Sequence, residues 1–134
     1  MTLSNQEVYK WVDHLLQESR EAYATAEDLY KDKRYHFALF FCHLALEKTI
    51  KATFLSRKKK FAPPVHDLIY LVKKLDIALD SEKLTQLAEI NTFNIRARYE
   101  DYKREFFKKA TSEYALKWIQ ISKNLLVFFK NKYV

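Results

Sequence analysis

The first thirty residues repeat apolar side chains at alternating steps of three and four, the spacing that places them on one face of an α-helix. The members of this repeat are Val8, Trp11, Val12, Leu15, Leu16, Ser19, Ala22, Tyr23, Ala26, Leu29 and Tyr30. Ser4 and Glu7 precede it with the spacing of a capping box. The pattern predicts one long amphipathic helix.

The next segment, YHFALFFCHLALEKTIKATFL, is apolar on nearly every side in its first half. Such a helix is surrounded by other helices, so we expect it at the centre of the fold, with Asp32 as its N-cap. Cys42 lies in this segment and is the only cysteine, so the chain has no internal disulfide. A buried thiol and a reducing, cytoplasmic location are expected.

The segment SRKKKFAPPVHD joins a basic run to both prolines, and it predicts a loop because proline disfavours helix in the residue before it. His66 or Asp67 then begins a short helix. One face of that helix carries Leu68, Leu71, Val72 and Leu75.

Ser81 is the predicted cap of a fourth helix, whose aligned residues are Leu84, Leu87, Ala88, Asn91 and Ile95. The charged residues 100–109 predict a connection or a frayed turn. Thr111 or Ser112 caps a last helix. Together these elements predict an all-α protein, an up-and-down four-helix bundle with one additional short helix.

Composition agrees with this fold class and narrows the function. A chain of 134 residues that is 49% hydrophobic fits a single domain spanning residues 1–134. It contains no glycine, which excludes dinucleotide-binding fingerprints and P-loops. The longest apolar run, FALFFC, is too short to cross a bilayer, so no membrane association is expected.

The charge is unevenly distributed. The net charge is +7, yet residues 1–32 hold seven acids and three bases, or −4, which leaves +11 for the rest of the chain. An electropositive face, suited to an anionic partner, is therefore expected on the later helices.

Three stretches, taken in order, resemble the HEPN domain family of prokaryotic helical-bundle proteins. They are the second helix, the proline-containing loop that leads into HDL, and RARYED before the final helix. The resemblance extends from about Ser4 to Lys132. It implies a homodimer, often paired with a small nucleotidyltransferase, in a toxin-antitoxin, defence or RNA-processing system.

Many members of the family are metal-independent ribonucleases whose signature is an arginine followed, after four to six residues, by a histidine. Counted from Arg96 the window falls on Asp101 to Lys103, and counted from Arg98 it falls on Lys103 to Glu105. Neither window contains a histidine. The resemblance therefore keeps the phosphate-binding half of the family site without its proton-transfer half.

Arg96 and Arg98 are the first candidates for binding RNA or a nucleotide, because a permanently charged guanidinium suits a phosphate. The alternative is an intramolecular pair with Glu100, Asp101 or Glu105. Tyr99 and Tyr102 are further candidates for this site. In some relatives a nearby tyrosine accepts AMP from the nucleotidyltransferase, but the matching position here is Lys103.

The basic run of Arg57, Lys58, Lys59 and Lys60 is a second candidate for phosphate binding, with solvated loop charge as the alternative. Asp101 and His66 are the only candidates for proton transfer, and the favoured role of His66 is that of a cap or a loop anchor. His36, His43 and Glu47 share a helix but make an incomplete ligand set. No metal or cofactor is expected.

Three hypotheses remain open. The chain is a HEPN dimer that binds RNA or a nucleotide-bearing partner, or an active metal-independent endoribonuclease with a non-standard base, or a purely structural subunit that docks on a nucleotidyltransferase. Whether the protein is an enzyme is left open by the sequence.

Overall fold

A computed structural model describes residues 2–98 and 100–134, with the side chains of residues 95–102 outside the description. Within these residues the chain forms six α-helices and no strand. The helices are α1 (Asn5–Lys31), α2 (Tyr35–Lys58), α3 (Leu68–Leu75), α4 (Ser81–Arg98), α5 (Glu100–Lys109) and α6 (Ser112–Tyr133). The predicted all-α class is confirmed, and none of the described helices is long and apolar enough to cross a membrane.

The central position of α2 is also confirmed, since it contacts each of the other five helices. Its first half is buried on most sides, and Leu39, Leu46 and Ile50 are fully buried. Cys42 is buried as expected, and this burial raises the pKa of its thiol to about 12. The thiol is therefore protonated at neutral pH and unreactive.

Helix α1 begins as the sequence predicts. The Ser4 hydroxyl accepts from the Glu7 backbone N–H at 3.2 Å, and the Glu7 carboxylate accepts from the Ser4 backbone N–H at 3.0 Å. This is a complete capping box.

The prediction that Asp32 caps α2 is wrong. Asp32 lies in the closing turn of α1, where the Lys33 and Arg34 backbone N–H groups donate to the carbonyls of Tyr30 and Leu29. This pair of bonds forms a Schellman motif, which takes up the residues between the two helices. As a result, α2 starts at Arg34 without a side-chain cap.

The prediction that Ser81 caps α4 is wrong by one residue. The carboxylate of Asp80 accepts from the Lys83 backbone N–H at 2.8 Å, so Asp80 is the capping residue. That backbone hydrogen bond, together with the Lys83 side chain, lowers the pKa of Asp80. The predicted caps Asp67 and Thr111 are both confirmed for α3 and α6.

Residues 100–109 form helix α5, where the sequence predicts a connection or a frayed turn. The helix is mostly charged, and its buried anchor is Phe106, whose ring stacks on Phe93 of α4 at 5.8 Å. One buried aromatic residue supplies the tertiary packing that a short charged helix needs in order to form.

Three helix ends use a left-handed residue although the chain has no glycine. Lys33, Lys59 and Asp76 have φ values of 61°, 60° and 57°. A side chain with a Cβ is disfavoured in this conformation by about 1 to 2 kcal/mol. These turns are therefore local sites of backbone strain.

Replacing Lys33 by glycine is expected to raise the free energy of unfolding by about 0.5 to 1 kcal/mol, because glycine removes the Cβ clash at the Schellman turn. Urea denaturation measures the change. The matched control is Lys10→Gly in the middle of α1, which is expected to destabilise by about 1 kcal/mol. Loss of stability in both variants would contradict this account of the turn.

Candidate functional site

A buried carboxylate lies in the middle of α2. The Glu47 side chain is 6% exposed, and its two oxygens accept from Lys51 Nζ at 3.0 Å and from His66 Nδ1 at 2.9 Å. Burial alone raises the pKa of Glu47, but the hydrogen bonds from Lys51 and His66, with the neighbouring charges, outweigh it and lower the pKa overall. Glu47 is therefore ionised at neutral pH.

His66 is held in one orientation by contacts at both its ring and its backbone. Because the Glu47 carboxylate can only accept, Nδ1 of His66 carries the proton in their hydrogen bond. The carbonyl of His66 accepts from His43 Nε2 at 2.9 Å. Nε2 of His66 has no hydrogen-bond partner among the described residues, and the side chain is 50% exposed. In its neutral form the ring therefore presents an unprotonated nitrogen to solvent.

The residue after His66 is joined to α4. Asn91 accepts from the Leu68 backbone N–H at 2.8 Å and donates through Nδ2 to Asp67 Oδ1 at 2.9 Å. Asp67 Oδ1 also accepts the backbone N–H groups of Ile69 and Tyr70 at the start of α3. These bonds fix the proline-containing loop, α3 and α4 relative to one another.

A small cavity of about 100 Å³ lies at this junction. It is lined by His66, Asp67, Asn91 and Asn94. Position 98 follows Asn91 by seven residues and Asn94 by four along α4, the spacing of one helix face. The backbone of residue 98 therefore lies at a helix position on the same face of α4 as the two asparagines that line the cavity.

All the candidate site residues in and after RARYED have side chains outside the described part of the structure. They are Arg96, Arg98, Tyr99, Asp101 and Tyr102. The choice between a phosphate clamp and an intramolecular ion pair therefore stays a prediction. The structure does place the backbone of residues 96 and 98 in the last turn of α4.

The basic run is attached to the end of the bundle. The Arg57 guanidinium lies 5.4 Å from the centre of the Tyr133 ring, and Lys58 Nζ is 3.6 Å from Asp76 Oδ2. Lys59 is the C-cap of α2, and its carbonyl accepts from the Leu3 backbone N–H. Lys60 is exposed.

The two candidate phosphate-binding groups lie toward opposite ends of α4. The basic run lies near the start of α4. Lys83, in the first turn of α4, is placed over the Phe128 ring. Phe128 contacts Tyr133, and the Tyr133 ring lies beneath Arg57 of the basic run. Position 98 is fifteen residues beyond Lys83 along α4, about 22 Å at 1.5 Å per residue. The structure therefore does not bring the basic run and RARYED together into one compact site.

Several residues of the junction were not among the predicted site residues. From the sequence, Glu47 was considered only as part of an incomplete ligand set, whereas in the structure it pairs with Lys51 of its own helix and with His66 of the loop. Asn91 was assigned to the apolar face of the fourth helix. A polar group on such a face needs a hydrogen-bond partner, so its position there could have indicated a polar contact. No group of three or more His, Cys, Asp or Glu side chains in the described residues is arranged to hold a metal ion.

The fold and this junction define a small helical-bundle protein with a central helix and a loop histidine fixed on a buried acid. The chain belongs to the HEPN domain family, whose model matches residues 12–132. Membership supports a nucleotide- or RNA-related role in a general sense.

A solved structure supports the same fold. The crystal structure of TT1696 from Thermus thermophilus is similar with a TM-score of 0.79 and 19% sequence identity, covering 90% of this chain and 97% of that chain. At this identity the likeness shows the fold alone. No curated protein is significantly similar to the chain.

Proposed function

We propose that the chain is a dimeric HEPN protein that binds RNA at the C-terminal end of α4. The observation that supports this most directly is the cavity lined by His66, Asp67, Asn91 and Asn94, which shares a helix face with position 98. Amide and imidazole groups there can contact ribose and base edges, while arginine contacts the phosphate. A toxin-antitoxin or defence role beside a nucleotidyltransferase is the setting that the family resemblance implies.

Replacing Arg96 and Arg98 together by alanine is expected to weaken RNA binding and to lower the log–log salt slope by about one for each arginine removed. The thermal stability is expected to change little, because an exposed ion pair contributes about 0 to 1 kcal/mol. Binding is measured as a function of salt concentration with a labelled single-stranded RNA.

Two further variants make this measurement specific. Lys10→Ala with Lys31→Ala removes two charges from the acidic N-terminal helix and is expected to leave the slope unchanged. Arg57→Ala with Lys60→Ala tests RNA binding by the basic run, which lies toward the other end of α4. If the arginine variant melts many degrees lower and its salt slope is unchanged, the arginines of RARYED stabilise the fold and do not bind RNA. If the wild type does not bind RNA, the purely structural subunit is favoured.

A homodimer is expected because large apolar side chains are exposed on α2 and α5. Phe107 of α5 is 64% exposed, and its ring lies 5.1 Å from the ring of His36, which also contacts the ring of the exposed Phe37 at 4.1 Å. Light scattering is expected to give twice the chain mass of 16.1 kDa.

Phe107→Glu is expected to shift the protein toward the monomer, because a charge is costly in an apolar interface. Tyr9→Glu is the matched control, since Tyr9 is 71% exposed on α1, and it is expected to keep the dimer mass. A wild-type mass near 16.1 kDa at micromolar concentration would contradict the proposed dimer.

The hydrogen bond between Glu47 and His66 favours a second candidate function, a metal-independent endoribonuclease. An ionised carboxylate that accepts from Nδ1 leaves Nε2 as the basic nitrogen, which is the arrangement required to take a proton from a ribose 2′-hydroxyl. The 2′-oxygen would then attack phosphorus, the arginine at position 98 would stabilise the negative charge that develops on the non-bridging oxygens, and the 5′-oxygen would leave and take a proton from water. Asp101, the other candidate for proton transfer, lies outside the described side chains.

Incubating labelled RNA with the protein and a chelator separates the two functions. If the second function holds, the wild type cuts the RNA, and His66→Gln still binds RNA, with an affinity lowered only by the loss of the imidazole contact, but does not cut it. Cleavage by His66→Gln at the wild-type rate would remove His66 from the chemistry. If the wild type binds the RNA but does not cut it, the endoribonuclease function is excluded and only the first proposal, RNA binding, remains.

A further inference from the structure

Helices α1 and α6 both pack on α2 but diverge from each other, and a groove of about 270 Å³ lies between them. The two helices meet where the hydroxyls of Tyr30 and Ser112 are 3.1 Å apart. The groove lies on the N-terminal side of that contact along α1, from Glu27 back to Leu16, a length of about 16 Å from the helix rise. It is therefore elongated.

The walls of the groove are mainly aliphatic. Leu16 and Ala24 face it from α1, and Leu126 and Val127 face it from α6. Val127 is 49% exposed at the opening of the groove. The groove therefore offers apolar surface to a partner.

Its floor is polar but already satisfied. The Ser19 hydroxyl donates to the Ala45 carbonyl at 2.8 Å, and it accepts from the Thr49 hydroxyl at 2.7 Å. These groups gain little from a ligand, because their hydrogen bonds are made within the protein.

The rim is cationic. Arg20, Lys123 and Lys130 line the groove with a single carboxylate, Glu27, so the charged groups there sum to +2. None of the three bases forms an ion pair within the described part of the chain. The rim is therefore complementary to an anion.

Tyr23 adds a neutral donor to the groove. Burial, and after it the nearby Glu27 carboxylate, raises the pKa of the Tyr23 hydroxyl to about 12. The hydroxyl makes no hydrogen bond within the residues that the structure describes. A pocket that combines apolar walls with a few convergent polar groups is the usual form of a small-ligand site.

We propose that this groove binds an amphipathic anion, a medium-length aliphatic carboxylate, as a site separate from the α4 end of the bundle. The aliphatic chain lies along Leu16, Ala24 and Val127. The carboxylate pairs with Lys123 and Lys130. Aliphatic walls favour a chain over a stacked base, since Tyr23 is the only aromatic residue that lines the groove among the described side chains.

Titration calorimetry of the full chain with decanoate, below its micelle concentration, tests the proposal. Saturable binding with one site per chain is expected, with much weaker binding of butyrate, which buries fewer methylenes. Lys123→Glu with Lys130→Glu is expected to weaken decanoate binding about tenfold or more, because the carboxylate loses its charge-assisted contacts to the two lysines. Lys10→Glu with Lys31→Glu is the control of equal charge change and is expected to retain the wild-type affinity.

Ala24→Trp fills the groove without altering its charge, and circular dichroism shows whether that variant is folded. It is expected to abolish decanoate binding and to leave RNA binding intact, so failure here is distinct from failure of the RNA proposal. Undiminished decanoate binding by folded Ala24→Trp would overturn the site. The site would equally be overturned if the wild type did not bind decanoate. A lower assembly mass of Ala24→Trp would then identify the groove as an interface between copies of the chain.

Discussion

Replacing Phe93 by alanine is expected to lower the free energy of unfolding by about 3 to 5 kcal/mol, the range for deleting a buried phenylalanine. Phe93 is fully buried in α4. Its ring stacks on Phe106 of α5 at 5.8 Å and contacts Tyr114 and Trp118 of α6 at 6.2 and 6.0 Å. One side chain therefore connects three helices, and the cavity that its removal leaves cannot close without moving them.

Urea denaturation of Phe93→Ala and Tyr9→Ala makes the comparison. Tyr9 is 71% exposed, so its truncation is expected to change the stability by no more than about 0.5 kcal/mol. If Phe93→Ala loses less than about 1 kcal/mol, α5 is not held on α4 by this contact. A smaller loss in Phe93→Leu than in Phe93→Ala is expected, because leucine fills more of the cavity.

The long helices could be predicted because their packing follows from local periodicity. The three-and-four spacing of α1 and the nearly all-apolar first half of α2 are properties of adjacent residues, and the structure confirms both helices and the central position of α2. The caps were predictable where the capping residue bonds within its own turn, as Ser4, Asp67 and Thr111 do.

One error occurs where a distant contact decides the local structure, and another occurs where a backbone turn replaces a side-chain cap. Helix α5 is charged along most of its length, and it forms because Phe106 reaches Phe93, thirteen residues earlier in the chain. Asp32 fits the composition of an N-cap, but the chain turns through a Schellman motif at Lys33, where a left-handed lysine does what glycine usually does. The first outcome depends on a residue far along the chain, and the second depends on a local backbone turn that composition does not indicate.

The candidate site shows the same limit. Glu47 and His66 are nineteen residues apart, and they meet only because the proline-containing loop folds back along α2. The sequence identified His66 as a cap, a loop anchor or a candidate for proton transfer, but it did not identify the acid that orients the ring. That acid matters to function, since a carboxylate partner determines which ring nitrogen is free to act as a base.

Replacing Glu47 by glutamine is expected to lower the stability at pH 7 by about 2 to 3 kcal/mol, below the full cost of breaking a buried ion pair. The cost is below that full value because Lys51 and His66 are partly exposed and can be solvated once the charge is lost. The matched control is Glu18→Gln. Glu18 pairs with His14 and Lys48 at 3.4 Å on a more exposed surface, so its loss is expected to cost at most about 1 kcal/mol.

The pH dependence of this difference follows from the direction of the pKa change. Burial raises the pKa of Glu47, but the bonds from Lys51 and His66 outweigh that effect, so the pKa in the folded protein is below its ordinary value. The carboxylate therefore stabilises the fold above its unfolded pKa of about 4.3, and this contribution is lost as the pH falls through the folded pKa. The stability gap between wild type and Glu47→Gln is expected to be constant near neutrality and to narrow below about pH 4. A gap that widens in acid would mean that burial prevails, and that Glu47 does not hold His66 as an ionised partner.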